Sequence, residues 1–251
     1  MDAQLLTALN LLRNARYAVA LTGAGISTPS GIPDFRSAGS GLWENAEAMQ
    51  VASIFGFKTQ PQRFYDWVRS LVNVILSAEP NAAHLALSRM ERSGWLQSVI
   101  TQNIDLLHTR AGSQRVIEVH GNLREMTCIS CYSVYEAQRF IYPFVLDGRA
   151  PYCPKCGGVL KPNVILFGEQ LPVREMMAAE QAAALCDVML IAGSSLEVAP
   201  VCDLPVKARR HGAALIIVNF DATSMDSVAD VAIHGDVASV LPQLADALEA
   251  V

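Results

Sequence analysis

Seven short apolar runs, each stopped by small or polar residues, constrain this chain more than any other feature. They lie at 17–21 (YAVAL), 98–101 (SVIT), 116–119 (VIEV), 164–167 (VILF), 188–192 (VMLIA), 215–218 (LIIV) and 231–233. Helical patterns separate most of them, at 61–76, 81–93, 173–185 and 237–248, and an amphipathic first helix precedes them. Strands that are apolar on both faces need helices on both sides, so the pattern predicts an α/β fold around a parallel sheet.

Two stretches break this rhythm. Residues 37–60 are rich in small and polar types, and 123–161 carry four paired cysteines with Pro143, Pro151, Pro154 and Gly157. Both are expected to belong to a smaller unit inserted in the first. Residues 1–36, 80–122 and 163–251 then make the sheet domain, 37–79 a helical part of the small domain and 123–162 its ribbon part. A chain of 251 residues suits one large domain with a small insert. At 51% hydrophobic and 17% charged it is not a disordered sequence, and its apolar runs are too short to span a bilayer. The first ten residues include Asp2 and lack a basic signal region, so a cytoplasmic location is expected. A net charge of −5 gives no general attraction to nucleic acid or anionic membrane.

Cys128-Ile-Ser-Cys131 and Cys153-Pro-Lys-Cys156 have the spacing of a zinc ribbon. Four thiolates fill a tetrahedron and leave no open position for water, which predicts a structural rather than a catalytic zinc. Cys186 and Cys202 lie beside apolar segments and read as small core residues.

Gly23-Ala24-Gly25-Ile26-Ser27 follows the first strand, the context of a turn whose amides cradle a pyrophosphate. Thr28 stands where a dinucleotide fingerprint has its third glycine, so the turn alone fits a ligand-free tight turn as well. Gly193-Ser194-Ser195 and Asn219 end two other strands. Ligands of open parallel sheets bind beyond the strands' carboxyl ends, and three such ends together predict one dinucleotide crevice in a Rossmann-like domain. Thr101-Gln102-Asn103-Ile104-Asp105 is expected to enter a helix at another strand end, where Asn103 or Asp105 serves either the crevice or a helix cap. His120 beside Gly121 ends a further strand with open space expected for a ligand, and it suits a general base near neutrality. His84, His108, His211 and His234 lack such company and read as structural.

Taken in order, Gly-Ala-Gly-Ile-Ser, Gly31-Ile-Pro-Asp-Phe-Arg36, Thr-Gln-Asn-Ile-Asp, His-Gly, the four cysteines, Lys161-Pro-Asn-Val, Phe167-Gly-Glu169, Gly-Ser-Ser-Leu and Val-Asn resemble the sirtuin family. The resemblance spans roughly residues 5–244. It implies that NAD is consumed as a co-substrate and that the acyl group of a lysine passes to ADP-ribose with release of nicotinamide. On that resemblance Asp105 and Ile104 hold the carboxamide, and Phe35 and Ile32 exclude water from the ring. Arg36, Gly23, Ala24, Gly25, Ser27 and Thr28 place ribose and phosphates. Gln102 and Asn103 meet the nicotinamide ribose, Asn103 joining His120 in catalysis. Gly193, Ser194 and Ser195 take phosphate, with Asn219, Phe220, Asp236 and Val237 around the adenosine. An acyl-lysine peptide would lie as an added strand along Ile165, Phe167 and Gly168 on one side and Leu196 and Val198 on the other.

Two departures refine the expectation. Relatives that prefer succinyl or malonyl lysine carry Tyr-x-x-Arg, whereas here Tyr65 is followed by Val68 and arginine comes only at Arg69. A shift of one residue turns a helical side chain by about 100°, which favours short uncharged acyl groups. Gly-Ser-Ser in place of the commoner Gly-Thr-Ser keeps the hydroxyl and loses only a methyl. Mono-ADP-ribosyl transfer at the same site and a non-catalytic NAD sensor remain the alternatives. A hydride-transferring dehydrogenase is disfavoured by the missing third glycine and the missing acidic residue about twenty positions on.

Overall fold

The computed structural model describes residues 2–34 and 46–250. Among them run nine strands: β1 (Ala18–Thr22), β2 (Ser98–Thr101), β3 (Val116–Glu118), β4 (Gly121–Cys128), β5 (Val134–Glu136), β6 (Leu160–Val164), β7 (Val188–Ala192), β8 (Ala214–Asn219) and β9 (Val231–His234). The α-helices are α1 (Ala3–Asn14), α2 (Ala46–Val51), α3 (Ile54–Thr59), α4 (Pro61–Ser77), α5 (Ala82–Arg92), α6 (Leu107–Arg110), α7 (Gln138–Asp147), α8 (Val173–Leu185), α9 (Asp203–Arg210) and α10 (Val237–Glu249).

Six strands pair in parallel in the order β3-β2-β1-β7-β8-β9. Chain direction across the sheet reverses between β1 and β7, which makes their carboxyl ends the topological switch point. Alternate residues of the strands feed two cores. Ala18, Ala20, Leu190, Ile216 and Val218 pack with the buried faces of α1, α5 and α10. Val19, Leu21, Met189, Ile191, Leu215 and Ile217 pack with α8 and α9. Each Val, Leu, Ile or Met side chain among them contributes about 1.5–3 kcal/mol of burial, and strands covered on both faces read as unbroken apolar runs.

The second sheet is antiparallel, in the order β5-β4-β6. Its core joins Val51, Phe57, Phe64 and Tyr65 to Met126, Phe144 and Leu160, so the two rhythm-breaking stretches share one apolar centre. Phe64 and Tyr65, and Tyr65 and Phe144, meet edge to face with centroids 5.4 and 4.9 Å apart.

Two expectations need correction. The strand expected at 164–167 is β6, which starts at Leu160 and ends at Val164, in the small sheet. Its Lys161, Pro162 and Asn163, two polar residues and a proline, break the apolar run that marks the parallel strands. The helix expected directly after Thr101 begins only at Leu107, because Leu106 takes the left-handed conformation at φ 65° and interrupts the chain there. Within the small unit, Pro143 lies inside α7. Among the described residues no helix is long and apolar enough to cross a membrane.

Candidate active site at the strand ends

The turns after β1 and β7 lie back to back. Gly25 N donates to Gly193 O at 2.9 Å, and Gly193 N donates to Val218 O at 3.0 Å. A Cβ on Gly193, whose φ is +62°, would stand 2.2 Å from Ile26 N, and one on Gly23 would stand 2.9 Å from Gly193 O. These glycines are therefore demanded by backbone against backbone, in addition to any ligand. The amides of Gly25, Ile26 and Ser27 are already bonded to the carbonyls of Gly193, Gly23 and Ala24. Thr28 Oγ1 is likewise turned onto Gly25 O at 3.0 Å. Among the described residues the Ala24 amide has no acceptor, which leaves it for an anion. Across the switch point Ser194 Oγ accepts from Gln102 Nε2 at 3.0 Å and from Leu196 N at 3.3 Å, while Ser195 is exposed.

Beneath this crevice lies a buried polar network centred on Ser27. Its hydroxyl donates to Asp105 Oδ2 at 2.6 Å and accepts from Asn103 Nδ2 at 3.0 Å and from His84 Nε2 at 3.4 Å. The His84 tautomer follows from its other nitrogen, because Nδ1 accepts the Asn81 amide at 3.3 Å in the capping box of α5. Asn103 Nδ2 also donates to Gly23 O at 3.0 Å, which ties the second strand end to the first turn. Asp105 Oδ1 accepts the Leu107 amide at 2.9 Å, so this carboxylate both caps α6 and faces the network. Burial pushes its pKa up, against the opposing bonds from Ser27 and Leu107. Burial pushes His84 down to about 4 and His108 well down. His108 meets Thr22 Oγ1 at 2.9 Å and the His84 ring edge to face at 4.8 Å. Sequence alone marks His84 as merely structural, yet it touches the central hydroxyl. Asn81 three residues ahead, in capping-box spacing, is the signal for its fixed position.

His120 stands just past β3. Its Nδ1 donates to Gln102 O at 3.0 Å, so the proton sits on Nδ1 and Nε2 keeps its lone pair. Burial lowers its pKa and the Gln102 bond opposes that shift. The room expected beside Gly121 is occupied, since a Cβ there would stand 2.0 Å from Asn163 O. That glycine lets β4 pass close to β6 and does not open space for a ligand.

The remaining sequence candidates divide by exposure. Asn219 ends β8 and donates to Asp221 O, and Phe220 is 77% exposed. Asp236 caps α10 by accepting from Ala238 N and Ser239 Oγ. Val237 is buried in the core, which leaves only its main chain for a ligand. Ile32 packs with Leu71, Ile75 and Leu107. Phe35 and Arg36 lie outside the described residues. On the expected peptide side, Phe167 is 46% exposed and Ile165 half-buried, Leu196 is buried in the sheet core and Val198 is half-buried. Phe167 uses both backbone groups, donating to Ala52 O and accepting from Ile54 N. The Tyr65 hydroxyl donates to Leu160 O at 2.5 Å, and the Arg69 guanidinium donates to Val145 O and Leu146 O.

The four paired cysteines converge, with every Sγ within 4.8 Å of the others. Cys128 and Cys156 Sγ are 3.5 Å apart, and Cys131 and Cys153 Sγ 3.7 Å. A tetrahedral ZnS4 unit with Zn–S near ~2.3 Å has edges of roughly 3.8 Å, so the donor set and its size fit zinc.

Comparison with known proteins gives the same direction. The Sir2 family model matches residues 23–200. The NAD-dependent protein deacylase 2 of Archaeoglobus fulgidus is 43% identical over 247 residues, covering 98% of this chain and 96% of that protein. A Sir2 structure solved with a p53 peptide and NAD+ is 37% identical, covers 97% of this chain and 98% of its own, and superposes with a TM-score of 0.88. Another, bound to a propionylated peptide, is 37% identical at the same coverage, with a TM-score of 0.87.

Proposed function

The chain belongs to the Sir2, or sirtuin, family, and on that premise we propose that it is an NAD-dependent protein-lysine deacylase that passes the acyl group to ADP-ribose and releases nicotinamide. The observation that carries the reading is His120, with its proton fixed on Nδ1 by Gln102 O and its basic Nε2 at the end of β3. When bound, NAD supplies the reactive ribose carbon and its nicotinamide leaving group.

Every other step falls to the chain's own residues. Asp105 and Ile104 hold the carboxamide, and Ile32 helps to exclude water, with Phe35 closing over the ring. Gly23, Ala24, Gly25, Ser27, Thr28 and Arg36 line the ribose and phosphate side. Gly193, Ser194 and Ser195 line the phosphate side across the switch point, and Asn219, Phe220, Asp236 and Val237 the adenosine end. Gln102 and Asn103 face the nicotinamide ribose, and His120 Nε2 accepts a proton from a ribose hydroxyl. The substrate lies as a strand between 165–168 and 196–198. Cys128, Cys131, Cys153 and Cys156 hold a structural zinc, away from the chemistry.

Short uncharged acyl groups fit best, because the Arg69 guanidinium is spent on two carbonyls and the Tyr65 hydroxyl on a third. The reading also carries the division into a sheet domain (1–36, 80–122, 163–251) and a small domain (37–79, 123–162). A cytoplasmic setting accords with thiols kept free for metal.

Mass spectrometry of an acetyl-lysine peptide incubated with the protein and NAD tests the proposal. Equal amounts of deacetylated peptide, nicotinamide and acetylated ADP-ribose are expected. Nicotinamide release with the acetyl group intact and ADP-ribose added to protein would replace deacylation by mono-ADP-ribosyl transfer.

A further inference from the structure

Two residues of the 161–169 segment have no part in the chemistry above, yet they form a largely buried ion pair. Lys161 Nζ lies 2.9 Å from Glu169 Oε2, with the two side chains 11% and 22% exposed. The same ammonium donates to Val164 O at 2.7 Å and to Pro162 O at 3.1 Å, so its three hydrogens have three acceptors. Glu169 Oε2 also accepts the Leu166 amide at 2.8 Å, and Leu166 O accepts the Glu169 amide at 3.0 Å. The pair thus closes a ring across a nine-residue segment and gathers both of its ends onto one point.

The backbone of that segment is almost fully committed. Ile165 N donates to the carbonyl of His120 at 2.9 Å, Leu166 is bonded to Glu169 at both groups, and Phe167 to Ala52 and Ile54. Among the described residues, the C=O of Ile165 and both the N–H and C=O of Gly168 are left without partners, and the Gly168 φ of +84° sets the direction of its two groups. We propose that Lys161 and Glu169 are positioning residues for the acyl-lysine substrate, holding 162–168 so that Gly168 offers its main chain to the incoming strand. This rests on the deacylase reading and adds to it a device that sets peptide affinity without touching NAD. A buried ion pair adds little net stability over an uncharged pair of similar size, so its consequence is the geometry of the atoms it gathers.

Steady-state kinetics with an acetyl-lysine peptide and NAD separate positioning from mere structure. The variants are Lys161→Met, Glu169→Gln and the double Lys161→Met/Glu169→Gln. The double leaves no unpaired buried charge, and the side-chain amide oxygen that Glu169→Gln retains can still accept the Leu166 amide, so this variant is expected to melt near the wild type. Its KM for peptide should rise about tenfold while its KM for NAD stays within about twofold. Amide hydrogen exchange over 165–168 should quicken in the same variant. A folded double variant with wild-type peptide KM would overturn the proposal. So would both KM values rising in step with a falling melting temperature. If the wild type itself turns over no acetyl peptide, the deacylase reading fails first, which is a different result from active variants of unchanged peptide KM.

Discussion

In the parallel sheet, β1 and β7 are buried along their whole length, whereas β5 in the small sheet leaves Val134 and Glu136 exposed. The large unit packs mainly aliphatic side chains on two faces. The small one has three strands, an aromatic cluster and four thiols within 4.8 Å of one another. Sheets this small are marginal by burial alone, and a structural metal commonly makes up the difference. In the large unit burial is the main source of stability, whereas the small one adds to its core a donor set that fits zinc, while the segment 165–168, which we propose faces the substrate, is attached to both through His120 O and Ala52 O.

The contrast breaks most visibly on metal removal. Structural zinc binding is worth on the order of 10 kcal/mol, so chelation or Cys153→Ser should unfold the ribbon while α1, α5 and α10 keep their protection from hydrogen exchange. Uniform loss of protection in both units would show that they do not differ in this way.

Within the large unit the weak point is backbone packing and not side-chain burial. Gly193→Ala puts a methyl 2.2 Å from Ile26 N at a left-handed φ, and should cost roughly 4 kcal/mol in urea unfolding. NAD affinity should fall with it, since the same contact fixes both strand-end turns. A melt like the wild type's would mean that the two turns separate freely.

Acid sharpens the comparison further. His84 titrates at about 4 when folded and near ~6.5 when unfolded, because burial opposes its charge. Above ~6.5 both states hold the neutral ring and its titration leaves stability unchanged. As pH falls from there toward about 4 the unfolded chain takes up the proton first, so the large unit loses stability, on the order of 2–3 kcal/mol from His84. His108 is shifted in the same direction. Urea midpoints at about pH 7 and about pH 4.5 for the wild type and His84→Asn measure this. An equal pH slope in both would remove His84 as the cause.

The two units were also unequally legible. Strands buried on both faces announce themselves as apolar runs, and β2 and β7 fall where the runs do. The cysteine spacing alone is enough to gather the metal ligands. In contrast, β6 runs through Lys161, Pro162 and Asn163: the Lys161 ammonium bonds carbonyls one and three residues on, and the Asn163 side chain meets Thr127 and Glu125 on the neighbouring strand. Strand-end position brings Gln102 to Ser194, and Asn103 and Asp105 just beyond it to Ser27. What periodicity cannot carry is mutual contact: that Gly193 backs onto Ile26, that Gly121 makes room for Asn163, or that His84 reaches Ser27.

The most direct test of the account is His120→Ala, read by single-turnover deacetylation alongside calorimetric NAD binding. With the base removed and the strand-end crevice intact, deacetylation should fall by about 10²–10⁴ while NAD affinity changes little. Undiminished deacetylation in that variant would contradict the role assigned to His120 and, with it, the placing of the chemistry at the end of β3.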